Sequence, residues 1–146
     1  MIEVRKSTST DLDFILNIEN SVFVNPWNKK SIKNELIDEK NSLNLICELN
    51  HKIIGYFFSK KIGKEYHIIN IAIDLPFQHK GYGKLFFEII MKKFIKYGSV
   101  FLEVKRTNFP ALSLYKKFGF KEIGIRTKYY FDGEDAVLMN WEKSHL

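Results

Sequence analysis

The 146-residue chain reads as an α/β protein built on a single sheet with mixed strand directions. Three observations predict this class. Short runs with strand character alternate with amphipathic helical runs along the length of the chain. A tight glycine turn, Gln78-His79-Lys80-Gly81-Tyr82-Gly83-Lys84, joins a strand directly to a helix. No internal repeat, linker or low-complexity stretch breaks the pattern, so one domain spanning residues 1–146 is expected. With 45% hydrophobic and 15% aromatic residues the chain can bury a core, which excludes disorder.

Ile2 to Lys6 alternates like a short strand. Thr10-Asp11 can cap a helix through Asn20 whose apolar positions are Leu12, Ile15, Leu16 and Ile18. Pro26 biases Asn25 away from helical geometry, so the aromatic segment from Val22 to Trp27 is a loop and a second helix runs from about Asn28 to Glu39. Leu43 to Leu49 and Ile53 to Lys60 flank Asn50-His51 and read as an antiparallel hairpin. Tyr66 to Ile73 is a strongly apolar strand. After the glycine turn, Leu85, Phe86, Ile89, Ile90, Phe94 and Ile95 recur at helical spacing until Gly98. Val100 to Lys105 is a strand, Pro110 opens a helix that ends at Gly119, and Phe120 to Phe131 pairs with Ala136 to Asn140 across Asp132-Gly133.

Composition narrows the function classes. No apolar run approaches the ~18 residues of a membrane span, and the first residues lack the apolar core of a signal peptide, so a cytoplasmic protein with no membrane partner is expected. The net charge of +6 suits a polyanionic ligand, but the lysines are scattered rather than arranged as a nucleic-acid stripe. The lone Cys47 has no disulfide partner and reads as core. His51, His67, His79 and His145 show no metal-site spacing, so no metal is expected. His67, on the apolar strand with Ile69 and Ile71, reads as a satisfied or edge histidine, with a base as its alternative.

The glycine turn carries the chemistry. Without Cβ atoms, Gly81 and Gly83 let backbone come close to phosphate oxygens, and the free N–H groups of the helix that follows point at the anion. Lys80 and Lys84 add full charges. A nicotinamide fingerprint lacks its third glycine here, since Phe86 stands in its place, and a P-loop would need Gly-Lys-Ser/Thr. What remains, Gln-x-x-Gly-x-Gly, resembles the acyl-coenzyme A turn of the GNAT superfamily of N-acetyltransferases. The likeness extends in order and spacing over Asn70-Ile71-Ala72-Ile73-Asp74, Leu102-Glu103-Val104, Asn108 and Leu114-Tyr115-Lys116-Lys117-Phe118-Gly119-Phe120. Arg126, Tyr129-Tyr130, Glu134-Asp135-Ala136 and Pro26-Trp27 add similarity to the RimI family, which acetylates the N-terminal alanine of a small-subunit ribosomal protein. Leu75-Pro76 and Phe109-Pro110-Ala111 depart from the family pattern without touching a group that does chemistry.

The resemblance implies a mixed, mostly antiparallel sheet of about seven strands with helices on both faces and a splayed central strand pair. It implies acetyl-CoA as cosubstrate, with Ile71, Ala72 and Ile73 along the pantetheine and His79, Lys80, Gly81, Tyr82, Gly83 and Lys84 on the phosphates. Asn108 and Tyr115 complete the cofactor set. Glu103 is implied as general base and Tyr115 as the acid that protonates the departing thiolate, and Trp27, Tyr129 and Tyr130 as walls of the acceptor groove. The expected acceptor is a ribosomal protein N-terminus, with no direct nucleic-acid contact required. An α-amine with pKa about 8 is roughly one-tenth neutral at pH 7, whereas a lysine near 10.4 is almost wholly charged, so one carboxylate base suits an N-terminus. A lysine side chain or a small-molecule amine is the alternative acceptor, and a non-catalytic module binding RNA or the ribosome is the alternative class.

Overall fold

The computed structural model describes residues 1–143. In chain order the elements are β1 (Ile2–Lys6), α1 (Leu12–Val22), α2 (Lys29–Ile37), β2 (Ser42–Leu49), β3 (Lys52–Ile62), β4 (Glu65–Ile73), α3 (Tyr82–Ile89), β5 (Ser99–Lys105), α4 (Phe109–Phe118), β6 (Lys121–Arg126) and β7 (Ala136–Glu142). The strands form a mostly antiparallel seven-stranded sheet in the order β1-β2-β3-β4-β5-β7-β6. The chain groups into two compact units, Met1–Lys61 with Ile69–Ile95, and Ile62–Ile68 with the chain from Lys96 onward.

In the first unit β1 lies antiparallel to β2, with Ile2 opposite Leu49 and Lys6 opposite Leu45, and β2 lies antiparallel to β3. Asn50 and His51 both take positive φ, 50° and 67°, the twist that a two-residue hairpin requires. Ile15, Ile18, Ile32 and Leu36 of the first two helices pack with Ile46, Tyr56, Phe58 and Ala72 of the strands. Leu45, Cys47 and Phe57 alternate with those strand positions and are fully buried too, so both faces of this part of the sheet are covered. Burial also pushes the Cys47 thiol up to about 12, which leaves it a core residue.

The helix expected to run on to Gly98 changes character partway. After Ile89 the chain widens into a π turn over Ile90–Phe94, closed by a hydrogen bond from Ile95 N–H to Ile90 C=O of 3.0 Å. Ile90 and Ile95 are both fully buried, and the five-residue spacing between them suits the wider turn, which brings both side chains to one face.

In the second unit β4 runs parallel to β5 over three residue pairs, Glu65 with Ser99 to His67 with Phe101, a short ladder in keeping with the expected splayed pair. β5 then pairs antiparallel with β7 along its full length, and β6 forms the outer strand on β7. Val100, Leu102 and Val104 are buried, so alternation places Phe101, Glu103 and Lys105 on the opposite face. One expectation is corrected here. β6 ends at Arg126, not at Phe131, and residues 127–135 form an irregular loop entered through Lys128 at φ 51°.

Candidate active site

The candidate residues fall in both units. The first unit holds the turn after β4. Asp74 N–H bonds Ile54 C=O at 2.7 Å, so alternation along the strand directs the backbone groups of Ile71 and Ile73 to the other edge of β4. Two of those four groups have side-chain partners: Ile71 N–H donates to Asn70 Oδ1 at 3.1 Å, and Ile73 C=O accepts from Gln78 Nε2 at 2.8 Å. Side chains local to the strand and its turn thus occupy two of the positions expected to meet a pantetheine amide. Ala72 is buried between them.

A 3₁₀ turn over Leu75–Phe77 leads to His79, at φ 62°, and then to Gly81, which caps α3 at φ 86°. Gly81 has no side chain to cap the first turn of α3, which leaves that turn's N–H groups for an anion. The two glycines serve different ends. Gly81 is required by its left-handed backbone, whereas Gly83 has an ordinary φ, and a Cβ there would meet only Ile73 Cγ1 at 3.6 Å. Protein packing therefore tolerates a side chain at Gly83. The cradle of His79, Lys80, Gly81, Tyr82, Gly83 and Lys84, with both lysines and His79 exposed, fits a pyrophosphate in its geometry and charge.

Trp27 belongs to the same unit. Its indole is half-buried, packs on the core cluster and lies 6.2 Å from the Phe58 ring. Beneath it lies a group that the sequence reading missed. Glu19, 2% exposed, accepts from Trp27 N–H at 2.9 Å, from the Asn70 amide at 2.9 Å and from the Tyr56 hydroxyl. A signal was available, since Glu19 occupies the apolar stripe of α1 with Ile15, Ile18 and Val22. Burial and the neighbouring carboxylate push the Tyr56 phenol well above its usual range.

The second unit holds the acid–base candidates. Glu103, with its side chain 27% exposed, lies 3.6 Å from Arg126 and beside the Tyr129 hydroxyl, whose pKa it raises. The Arg126 guanidinium sits 5.5 Å from the Tyr129 ring centre. Tyr130 meets Tyr129 edge-on at 5.1 Å and carries Lys105 Nζ over its ring at 5.4 Å. Its phenol is pushed up to about 12, chiefly by burial, with Glu103, Tyr129, Tyr115 and Asp132 adding to the effect. Burial alone takes Tyr115 to about 12, and its ring packs 5.7 Å from Phe120. Asn108 caps α4, accepting from Ala111 N–H at 3.3 Å.

Three consecutive residues at the end of β5 and just beyond it hold the 127–135 loop. Lys105 binds Asp132, Arg106 binds Asp135, and the Thr107 hydroxyl donates to Glu134. Asp135 also accepts from Lys128 N–H at 2.9 Å, which steadies the positive-φ residue next to the tyrosines. His67 has partners of its own: it stacks on Phe101 at 5.0 Å and lies 4.0 Å from Glu65. His145 lies outside the described residues. A cavity of about 920 Å³ beside α4, lined by Phe109, Leu112, Lys117 and Ile125 among others, includes none of the candidate residues. Among the described residues no cluster of His, Cys, Asp or Glu could hold a metal, and no helix is long and apolar enough to cross a membrane.

A strand, a glycine cradle and a helix followed by a strand carboxylate and a helix tyrosine, in that order, are matched by a family model over residues 12–120. The chain belongs to the acetyltransferase (GNAT) family. The acetyltransferase is 36% identical over 141 residues to a Bacillus subtilis (strain 168) protein provisionally named a [ribosomal protein bS18]-alanine N-acetyltransferase, covering 93% of this chain and 92% of that one. It is 32% identical over 136 residues to the [ribosomal protein bS18]-alanine N-acetyltransferase of Escherichia coli (strain K12), covering 90% of each. The crystal structure of the Escherichia coli ribosomal-protein-S18-alanine N-acetyltransferase superposes with a TM-score of 0.91 at 29% identity, over 100% of this chain and 96% of that one. The acetyltransferase is thus similar over its whole length to the RimI group, and acetyl-CoA is the cosubstrate of its family.

Proposed function

We propose that the acetyltransferase acts as a single cytoplasmic domain that moves the acetyl group of acetyl-CoA onto the α-amine of an N-terminal alanine of a small-subunit ribosomal protein. Attack is direct, with both substrates bound together. The observation that supports this most is electrostatic: the half-buried phenol of Tyr130 feels both Glu103 and Tyr115, the residues proposed as base and acid. Relatives of nearly full length that are named for this reaction support the same choice of acceptor.

Acetyl-CoA supplies the activated thioester. Ile71, Ala72 and Ile73 would receive its pantetheine arm, with Asn108 adding an amide, and the turn from His79 to Lys84 would bind its phosphates. Glu103 takes the proton from the amine, directly or through water. Tyr129 and Arg126 hold the carboxylate in place while leaving it open to solvent. Trp27, Tyr129 and Tyr130 line the acceptor path as stiff aromatic walls.

Tyr115 returns a proton to the thiolate. A phenol at about 12 giving its proton to a thiolate of pKa about 8.5 is uphill by roughly 5 kcal/mol if each keeps those values. The desolvation that raises the phenol raises a neighbouring thiolate as well, which narrows the gap.

The test is coenzyme A release with two acceptors: a short peptide beginning with alanine, and the same peptide with its N-terminus blocked and a lysine added. Turnover with the free N-terminus alone is expected. Turnover with the lysine peptide alone would move the assignment to a side-chain enzyme. Silence from both, with acetyl-CoA still bound, would point to a small-molecule amine.

A further inference from the structure

Buried carboxylates are ordinarily neutralised by a cation or a metal ion, because an isolated charge is costly away from water. Among the described residues, no cation lies within ion-pair distance of Glu19. Three donors surround it instead. The Tyr56 hydroxyl and the Asn70 amide meet Oε1, and Trp27 N–H meets Oε2.

Glu19 also holds the loop that follows α1 at both ends. Its backbone C=O accepts from Phe23 N–H at 3.0 Å, and its side chain accepts from Trp27 N–H at 2.9 Å. Between these two bonds the chain contains Pro26, which has no N–H to contribute, and the exposed Val24 and Asn25. The other arm of the carboxylate ends on Asn70, whose Oδ1 accepts from Ile71 N–H on β4. One buried side chain thus joins the aromatic loop to the cofactor-side strand within the first unit.

We propose that Glu19 is the positioning residue of the acceptor path: it sets the 23–27 loop against β3 and β4 and so determines how the first residues of the acceptor fit. This rests on the N-terminal acetylation reading, in which Trp27 is a wall of that path. A glutamine has the same shape, but its amide would confront one of the three donors with another donor.

The experiment compares the wild type with Glu19→Gln and Tyr56→Phe in steady-state kinetics and in acrylamide quenching of Trp27, read in a Trp141→Phe background that leaves one indole. For Glu19→Gln the acceptor KM is expected to rise about tenfold, with the acetyl-CoA KM within about twofold and Trp27 quenching about doubled. Tyr56→Phe keeps the Trp27 bond, so about threefold in acceptor KM is expected; this variant decides the matter if Glu19→Gln does not fold. Equal changes in both KM values, or unchanged acceptor KM and quenching, would overturn the proposal. A wild type inert toward every N-terminal peptide would sink the functional reading instead, and the quenching would then judge the tether by itself.

Discussion

Glu19 and Glu103 are both single carboxylates on regular elements, yet their surroundings are opposite. Glu19 is 2% exposed and accepts from three donors on two oxygens. Glu103 is 27% exposed, with one tyrosine hydroxyl and a guanidinium at 3.6 Å, a loose pairing in contact with water. A fully engaged, buried carboxylate makes a strut, since any change of partner leaves a donor or acceptor stranded. A half-open carboxylate with a long ion pair can exchange partners at little cost. Burial and partner count therefore separate structural from chemical carboxylates better than residue type does.

The largest effect that would break this contrast is expected at Glu103. Glu103→Gln should lower kcat about 10²- to 10⁴-fold at pH 7, most severely at low pH, with stability changed by no more than about 0.5 kcal/mol. Unchanged rates of coenzyme A release would remove Glu103 as the base. Next in size, Gly83→Val should weaken acetyl-CoA binding about a hundredfold in calorimetry while both carboxylates keep their settings, because the protein has room for the side chain and the phosphates do not. Retained affinity would move the phosphate site elsewhere.

A smaller effect sharpens the strut reading. Tyr56→Phe removes one donor from Glu19 and should cost about 2 kcal/mol of folding stability in denaturant titration. The pH dependence follows from the raised Tyr56 phenol. The unfolded chain loses this proton near pH 10 while the folded protein still binds it, so the contribution is complete below about pH 10 and is lost as the pH rises further. Tyr56→Phe should lack that alkaline component; an identical alkaline limb in both proteins would contradict the assignment. Smallest of all, His67→Ala should change kcat/KM by no more than about twofold, since His67 is engaged with Phe101 and Glu65. A severe loss in a folded variant would make it a competing base.

Most of the elements were legible because their signals are local. The alternation in residues 2–6, the Asn50-His51 turn and the glycine cradle each act within a few residues. The misreadings came from tertiary competition. Residues 127–131 are aromatic enough to extend a strand, but Asp132, Glu134 and Asp135 bind Lys105, Arg106 and Thr107 and draw the segment into a loop. The end of the third long helix widened into a π turn because burying Ile95 outweighed regular α-helical bonding.

The roles of side chains divide the same way. By itself the sequence determined the strand and helix order, the phosphate-shaped turn and the family signature, because periodicity and backbone preference are properties of neighbouring residues. Only the tertiary structure decided that Glu19 is a strut, since its Tyr56 and Asn70 donors arrive from 37 and 51 residues away. The setting of Glu103 was likewise decided by a guanidinium from another strand and a hydroxyl from the closing loop. A carboxylate's chemistry depends on the donors and the water that surround it, and folding assembles those from distant parts of the chain.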